Sequence, residues 1–470
     1  MASGIVLLIS VLGAILALRN WRRGIYWLVF LAAVQDPLRK MIPGYPASVL
    51  LASVPIILGI ILGLLGQKDW LHSFWRMYPN VNRSFNWFAL ACIPPALISL
   101  TYSSNSWIMT VFGIFNYGVF LAAILVGFHF AQSLEDIQRL FSFYCLLSVV
   151  MLSGTFLEYF NVVPGWTLIG TSALDFDWVR HSTGYVVKLI AGFYRSPDVM
   201  GWHASATSIL SFFLSTTSKP RQRYLWLAIC VIAIAALFFC GRRKMLYILP
   251  VAAIVFTFIY AQARGGRIFS VLPVLLIPLL IMIYIGNNLG EDSTYVRYYQ
   301  DHFAVAGEDV RRHNFDALIE TVRQSGFFGA GLGSAAPGSQ NLAIFNVQRP
   351  RTWQESGTSR MMVELGVPGF IALVLLLLSL VLSAWVQVQA LFKSQIYLGV
   401  YTGGILAFFL ANIGSLMVSG QILADPFITF FIAFSLGLVL SFAKYWQAFF
   451  WHQTQNITQN ITIGNSEIDR

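Results

Sequence analysis

VELGVPGFIALVLLLLSLVLSAWV, residues 363–386, decides the fold. Its one ionisable side chain is Glu364, and at about 1.5 Å per residue the stretch is long enough to cross roughly 30 Å of hydrocarbon. Similar runs recur along nearly the whole chain. They place helices near 3–18, 24–38, 47–65, 86–101, 107–130, 138–160, 201–216, 223–240, 245–262, 268–286, 363–386, 397–417 and 425–443, about thirteen in all. The second is the weakest, because Asp36-Pro37 interrupts it, and a tilted or re-entrant segment is the alternative. Lipid offers no partner to an unpaired backbone N–H or C=O. The expected fold is therefore all-α: a polytopic transmembrane helix bundle of about 12–13 helices, with one large, partly helical extracytoplasmic loop.

Composition agrees with this. The chain has 470 residues, of which 57% are hydrophobic and 11% charged, and a mean hydropathy of +0.69, outside the range of water-soluble domains. Its net charge of +10 does not point to nucleic acid, because the Lys and Arg residues stand in short clusters between apolar runs and form no basic stripe. Four cysteines lie in or beside apolar segments without CxxC spacing and read as packing residues. The first apolar run has its positive charges after it, at Arg19, Arg22 and Arg23, and reads as a retained helix rather than a signal peptide.

The chain divides into N-terminal membrane helices (1–286), a large polar loop (287–362), C-terminal membrane helices (363–443) and a polar tail (444–470) expected to be disordered and cytoplasmic. Orientation follows from alternate loops. One set collects Arg19, Arg22, Arg23, Lys68, Arg76, Arg83, Arg139, Lys219, Arg221, Arg223, Arg264, Arg267, Lys393 and Lys444, which marks the cytoplasmic side. The other set receives 36–46, 101–106, 161–201 and the large loop, which is expected to face the periplasm or cell exterior from the cytoplasmic (inner) membrane.

Gly241-Arg242-Arg243-Lys244 breaks the charge rule, since it falls on the outer side between two helices. Cations there either snorkel to headgroups or form an anion site, and a guanidinium fork matches phosphate oxygens. In the loop, EDVRRHNFDALIETVRQS (308–325) reads as an amphipathic helix with Phe315, Leu318, Ile319 and Val322 on its apolar stripe and Arg311 on the same face. A buried arginine needs a partner. A structural pair with Glu308, Asp316 or Glu320 and a ligand contact both remain open. Gly329, Gly331 and Gly333 follow in a turn that lets backbone approach backbone or ligand. Glu355, Arg360 and Glu364 then cluster where the chain returns to the membrane. Glu355 reads as a general base or, more simply, as one of the acidic residues common at helix starts. Tyr295, Tyr298 and Tyr299 are left open between sugar stacking and loop core, with Phe303 and Phe345 assigned to core.

Taken in order, these segments resemble the O-antigen ligase and polymerase superfamily of bacterial membrane enzymes. The likeness runs from about residue 193 to 369. Gly192-Phe193-Tyr194-Arg195-Ser196-Pro197-Asp198-Val199-Met200-Gly201 looks like the family's Gly-Pro-Gly segment entering a helix, and Gly241-Arg242-Arg243 stands where members often have Ser-Arg-Gly. Arg311 with the Gly-x-Gly-x-Gly, and Glu364-Leu365-Gly366 leading to Gly369, complete the pattern. Where family ligases commonly have a His, this chain has Glu355, a departure more in keeping with the polymerase-like members.

The resemblance implies a metal-independent glycosyltransferase without cofactor, a polysaccharide polymerase acting on polyprenyl-pyrophosphate-linked oligosaccharides in exopolysaccharide or O-antigen biosynthesis. Arg242 and Arg311 would bind the pyrophosphate and Glu355 would orient or deprotonate the acceptor hydroxyl. Arg195, Arg243, Lys244, Arg360, Gly329, Gly331 and Gly333 are the expected substrate contacts. The implied partners are the lipid-linked donor, a glycan or lipid acceptor, membrane lipids, and a flippase or chain-length regulator. A ligase transferring finished glycan to a lipid or protein is the alternative within this chemistry. A small-anion transporter is the alternative outside it, disfavoured because the helix midplanes look nearly free of ionisable residues.

Overall fold

The computed structural model describes residues 2–67, 70–102, 105–171, 177–182, 184–263, 294–303, 311, 317–336, 356–418, 420 and 425–444. The expected helix at 268–286, most of the large loop including Glu355, Phe345 and Trp353, and the tail beyond residue 444 lie outside them.

The described chain is an all-α bundle of a multi-pass membrane protein. Its helices are α1 (Ala2–Arg19), α2 (Trp21–Lys40), α3 (Ser53–Leu65), α4 (Trp70–Met77), α5 (Pro79–Ala91), α6 (Ile93–Leu100), α7 (Trp107–Phe130), α8 (Leu134–Tyr159), α9 (Pro197–Thr217), α10 (Pro220–Phe239), α11 (Arg243–Leu246), α12 (Ile248–Ala263), α13 (Thr294–Phe303), α14 (Ala317–Ser325), α15 (Gly357–Ser394) and α16 (Ile396–Val418), followed by α17 (Pro426–Lys444). Among the described residues eight helices are long and apolar enough to cross a membrane. On α15, Ile371, Val374, Leu375, Leu378, Leu382 and Val386 form an exposed stripe at helical spacing, the surface a lipid-facing helix presents. The apolar span of α17, by contrast, is 94% buried. The last helix is therefore the axis of the bundle, with α9 and α16 beside it.

Several sequence expectations are corrected. The helix expected over 86–101 is two, α5 and α6, meeting at Cys92 ahead of Pro94-Pro95, whose missing N–H groups suit a first turn and not a helix interior. The short amphipathic α4 was not foreseen. The second helix, far from being interrupted, continues through Pro37 to Lys40. The connection before α9 is not plain loop either: β1 (Val179–Ser182) and β2 (Tyr185–Lys188) form an antiparallel hairpin.

The two ends of the bundle sort the loops as the charge pattern predicts. At one end Arg22 donates to the carbonyls of His129 and Phe130, Lys444 to that of Phe128, and Gln138 to Thr217. At the other end lie Lys40, Glu158, the hairpin and Arg242. Carbonyls in the last turn of α7 thus gain cationic donors, the arrangement that helix C-termini favour.

Candidate functional site

The chain enters α9 through Ser196, whose hydroxyl caps the helix by accepting from Val199 N–H at 3.3 Å, and through Pro197 in the first turn. This fixes Asp198 in the first turn of α9, 5% exposed. Opposite it, Gly241 takes φ +62° straight after α10, a conformation that a side chain would strain and that has no room for a Cβ, which would lie 2.2 Å from Leu189. The turn delivers Arg242 and Lys244 to Asp198. Arg242 Nε stands 3.0 Å from one carboxylate oxygen and Lys244 Nζ 2.9 Å from the other. The Arg242 guanidinium also lies 4.9 Å from the centre of the Trp178 ring. Its burial holds the guanidinium below its ordinary pKa range, against the pull of Asp198, and the nearby charge of Arg180 acts in the same direction as burial.

One carboxylate is thus shared between two cations, with Arg180 close by on β1 and Arg243 half-buried at the start of α11. Among the described residues of this cluster the cations outnumber the carboxylates, an arrangement that suits an anion.

Helix α13 closes over this end. Tyr295 donates its hydroxyl to Lys188 O, Tyr299 donates to Phe238 O at 3.0 Å, and Arg297 stands 4.9 Å from the Tyr185 ring centre. All three tyrosines, Tyr295, Tyr298 and Tyr299, are buried. Burial raises the phenol pKa of Tyr295 and Tyr299. These rings are therefore core between α13, α10 and the hairpin, which settles what the sequence left open for them.

Arg195, expected to contact substrate, has its guanidinium engaged by the chain's own carboxylates. Nη1 is 3.0 Å from Asp36 Oδ1 and Nη2 is 2.5 Å from Asp425 Oδ2, while the Arg195 backbone N–H donates to Asp36 at 3.1 Å. Asp425 in turn accepts from Phe427 and Ile428 N–H and so caps α17. Lys40 donates to Gly192 O at 2.9 Å, and Glu158 accepts from Ala191 and Gly192 N–H. Beside the triad His203 stacks between Tyr194 and Phe427 and bonds the Tyr144 hydroxyl at 3.0 Å. The bundle interior therefore holds more ionisable groups than the hydropathy of its helices suggested.

The glycine-rich turn meets backbone. Gly329, Gly331 and Gly333 have φ of +80°, +100° and +79°, and a Cβ on each would fall within 3 Å of Gly366 N, Ser99 N and Met109 O respectively. The turn is wedged between α6, α7 and α15, with Ala330 N–H on Val363 O and Leu332 N–H on Pro95 O. Helix α15 breaks at Gly366 to receive it, and Val367 N–H bonds Phe327 O at 2.8 Å. Glu364, fixed just before that break, is hydrogen bonded by Tyr117 and by the N–H groups of Gly333 and Ala335. Arg360, one turn earlier, donates to Gly420 O at 3.3 Å.

Arg311 is exposed, not on a buried face. In the described helix after it Thr321 is buried, Leu318 and Val322 are half-buried and Ile319 is 57% exposed, so the expected apolar stripe is packed only in part, with Phe315 outside the described residues. Sequence reasoning missed Asp36, Asp198, Asp425, Trp178 and Arg180. Only Asp36-Pro37 and the helix-entering Pro197-Asp198 carried any local signal, and the rest are set by contacts distant in sequence.

Compared with known proteins, the chain matches no family model and no curated protein.

Proposed function

We propose that this protein is a membrane glycosyltransferase that joins lipid-linked saccharides, with the donor's pyrophosphate held at the Arg242–Lys244 cluster. The observation that carries the reading is the gathering of cations there: Arg242 and Lys244 both meet Asp198, and Arg180 lies close to Arg242 at the same membrane-edge end. A developing pyrophosphate dianion needs such a field, and fixed cations in a dry site stabilise a transition state without reorganising. In the reaction the acceptor hydroxyl oxygen attacks the anomeric carbon, the bond from that carbon to the phosphate oxygen breaks, and the lipid pyrophosphate leaves with the electron pair. The hydroxyl proton passes to Glu355, a role that rests on the resemblance alone. Facing of the site toward the periplasm and location in the cytoplasmic membrane belong to this proposal, as do the lipid-linked donor and glycan acceptor. A polymerase is preferred to a ligase because Glu355 replaces the His of the ligases.

The test is an in vitro reaction of purified protein with lipid-pyrophosphate oligosaccharide. Arg242→Ala should lower polymer formation by about 100-fold or more, and Glu355→Gln should do so with little change in apparent substrate affinity. Wild-type rates in both variants would refute the site. Long lipid-linked polymer accumulating in cells that lack the protein would assign it as a ligase instead.

A second reading is favoured by one observation, the buried Asp36–Arg195–Asp425 group beside His203. Buried ionisable groups in a membrane bundle mark transport pathways. Uptake of labelled phosphate into proteoliposomes, abolished by Arg242→Ala, would select the transporter.

A further inference from the structure

The hairpin beside the Asp198 cluster sets a row of arginines along one of its faces. In the β1–β2 ladder Arg180 is paired with Val187 and Ser182 with Tyr185, so these positions share a face. Trp178, two residues before Arg180, falls on the same face, and its carbonyl extends the ladder by accepting from Leu189 N–H at 2.8 Å. Arg242 lies 4.9 Å from the centre of the Trp178 ring at one end, and Arg297 lies 4.9 Å from the centre of the Tyr185 ring at the other. Arg180 is placed midway along β1, close enough to Arg242 and Lys244 for its charge to act on both. From Trp178 to the Ser182–Tyr185 pair the strand advances about 13 Å, at roughly 3.3 Å per residue. Asp177, the one acidic residue of the segment 177–188, falls on the opposite face by alternation, with Val179 and His181.

The members of the row differ in exposure. Arg242 is 5% exposed and bound to Asp198, whereas Arg180 and Arg297 are exposed. Among the described residues, no carboxylate stands within ion-pair distance of either. A ligand that seats its first negative charge at Arg242 thus meets two further guanidinium groups in water-accessible positions along the same face. The two phosphates of a pyrophosphate share an oxygen and are too short to reach along such a row. Of the two groups joined to them, the hydrocarbon tail stays in lipid, which leaves the saccharide to meet the hairpin. We infer that the donor's saccharide is acidic, with uronate carboxylates held by Arg180 and Arg297, whose planar forks match a carboxylate as well as a phosphate. This rests on the reading of Arg242 as the pyrophosphate site, and it makes Arg180 and Arg297 specificity-determining residues, not catalytic ones.

The experiment measures binding without turnover, so that its failure is distinct from failure of the transfer reaction. Full-length protein in nanodiscs of neutral lipid is titrated with trigalacturonate and, as the uncharged comparison, maltotriose, by ligand-observed NMR. Trigalacturonate should bind and maltotriose should bind at least about tenfold more weakly. Arg180→Gln and Arg297→Gln should each weaken trigalacturonate about fivefold, the size an exposed charge pair supplies, and the double variant about 25-fold, as separated sites add. Arg180→Lys should keep part of the binding. Arg139→Gln, exposed at the opposite end of the bundle, should change nothing. Equal binding of the two trisaccharides, or binding insensitive to both Gln variants, would overturn the inference even if the protein forms polymer from lipid-pyrophosphate oligosaccharide. In discs containing phosphatidylglycerol, native mass spectrometry showing that lipid lost from the two Gln variants would assign the arginines to headgroups and overturn it too. Selective, arginine-dependent binding of trigalacturonate with no polymer formed would leave the acidic-saccharide site standing and refute the transfer reaction alone.

Discussion

The connection over 161–201 and the described turn at 326–336 meet the same end of the bundle and are held there by opposite means. The first is tied by charge: Arg195 between Asp36 and Asp425, Lys40 on Gly192 O, Glu158 on two N–H groups. The second is tied by the absence of side chains, with three glycines letting its backbone lie against α6, α7 and the broken α15. The difference has a consequence for function. Charge anchoring fixes the segment that leads into Asp198 and so the geometry of the basic cluster, whereas glycine anchoring brings the Gly333 and Ala335 N–H groups to Glu364.

The comparison breaks most easily at the ion triad. Asp425→Ala should destabilise the protein by about 3–5 kcal/mol, because it leaves a buried guanidinium half-paired and uncaps α17. Thermal unfolding in detergent would measure it, and a shift no larger than that of an exposed substitution would mean the connection is not held by charge. Asp425→Asn should recover part of the loss, since an amide oxygen still caps the helix.

A smaller effect is expected on the glycine side. Gly333→Ala places a Cβ 2.0 Å from Met109 O at φ +79°, whereas Gly326→Ala meets φ +77° with nothing within 4 Å. Both carry the backbone strain, of order 1 kcal/mol, and only the first adds the clash, which should raise its cost by a further ~1–3 kcal/mol. Equal melting temperatures for the two variants would show that the turn is not packed as described. The smallest effect concerns the cover over the basic cluster: Tyr299→Phe removes the hydroxyl bond to Phe238 O and should cost about 0.5–1.5 kcal/mol, read as faster hydrogen exchange in α13 with α17 unchanged.

Much of the fold was legible in the chain. The runs at 107–130, 363–386 and 397–417 each mark a helix that is present, because an apolar stretch of that length has one stable state in lipid. The failures lie where a partner distant in sequence decides. Asp36-Pro37 looked like a break and is not: the helix runs on through Pro37, and Asp36 is paired by Arg195, 159 residues away. Arg195 looked like a ligand contact for the same reason: nothing near it in sequence carries the two carboxylates that take up its donors.

What the sequence determined alone was therefore the solvent and the periodicity: a helical membrane bundle, the sorting of its loops to two ends, and the positions of Arg242 and the glycine turn. Only the tertiary structure decided which charges are spent on each other. Asp198, Asp36 and Asp425 are single acidic residues with no local pattern, and their effect arises because burial makes an unpaired charge so costly that each must find its partner, wherever the chain brings one. That pairing gathers Arg242 and Lys244 on Asp198 and holds Arg195 between Asp36 and Asp425.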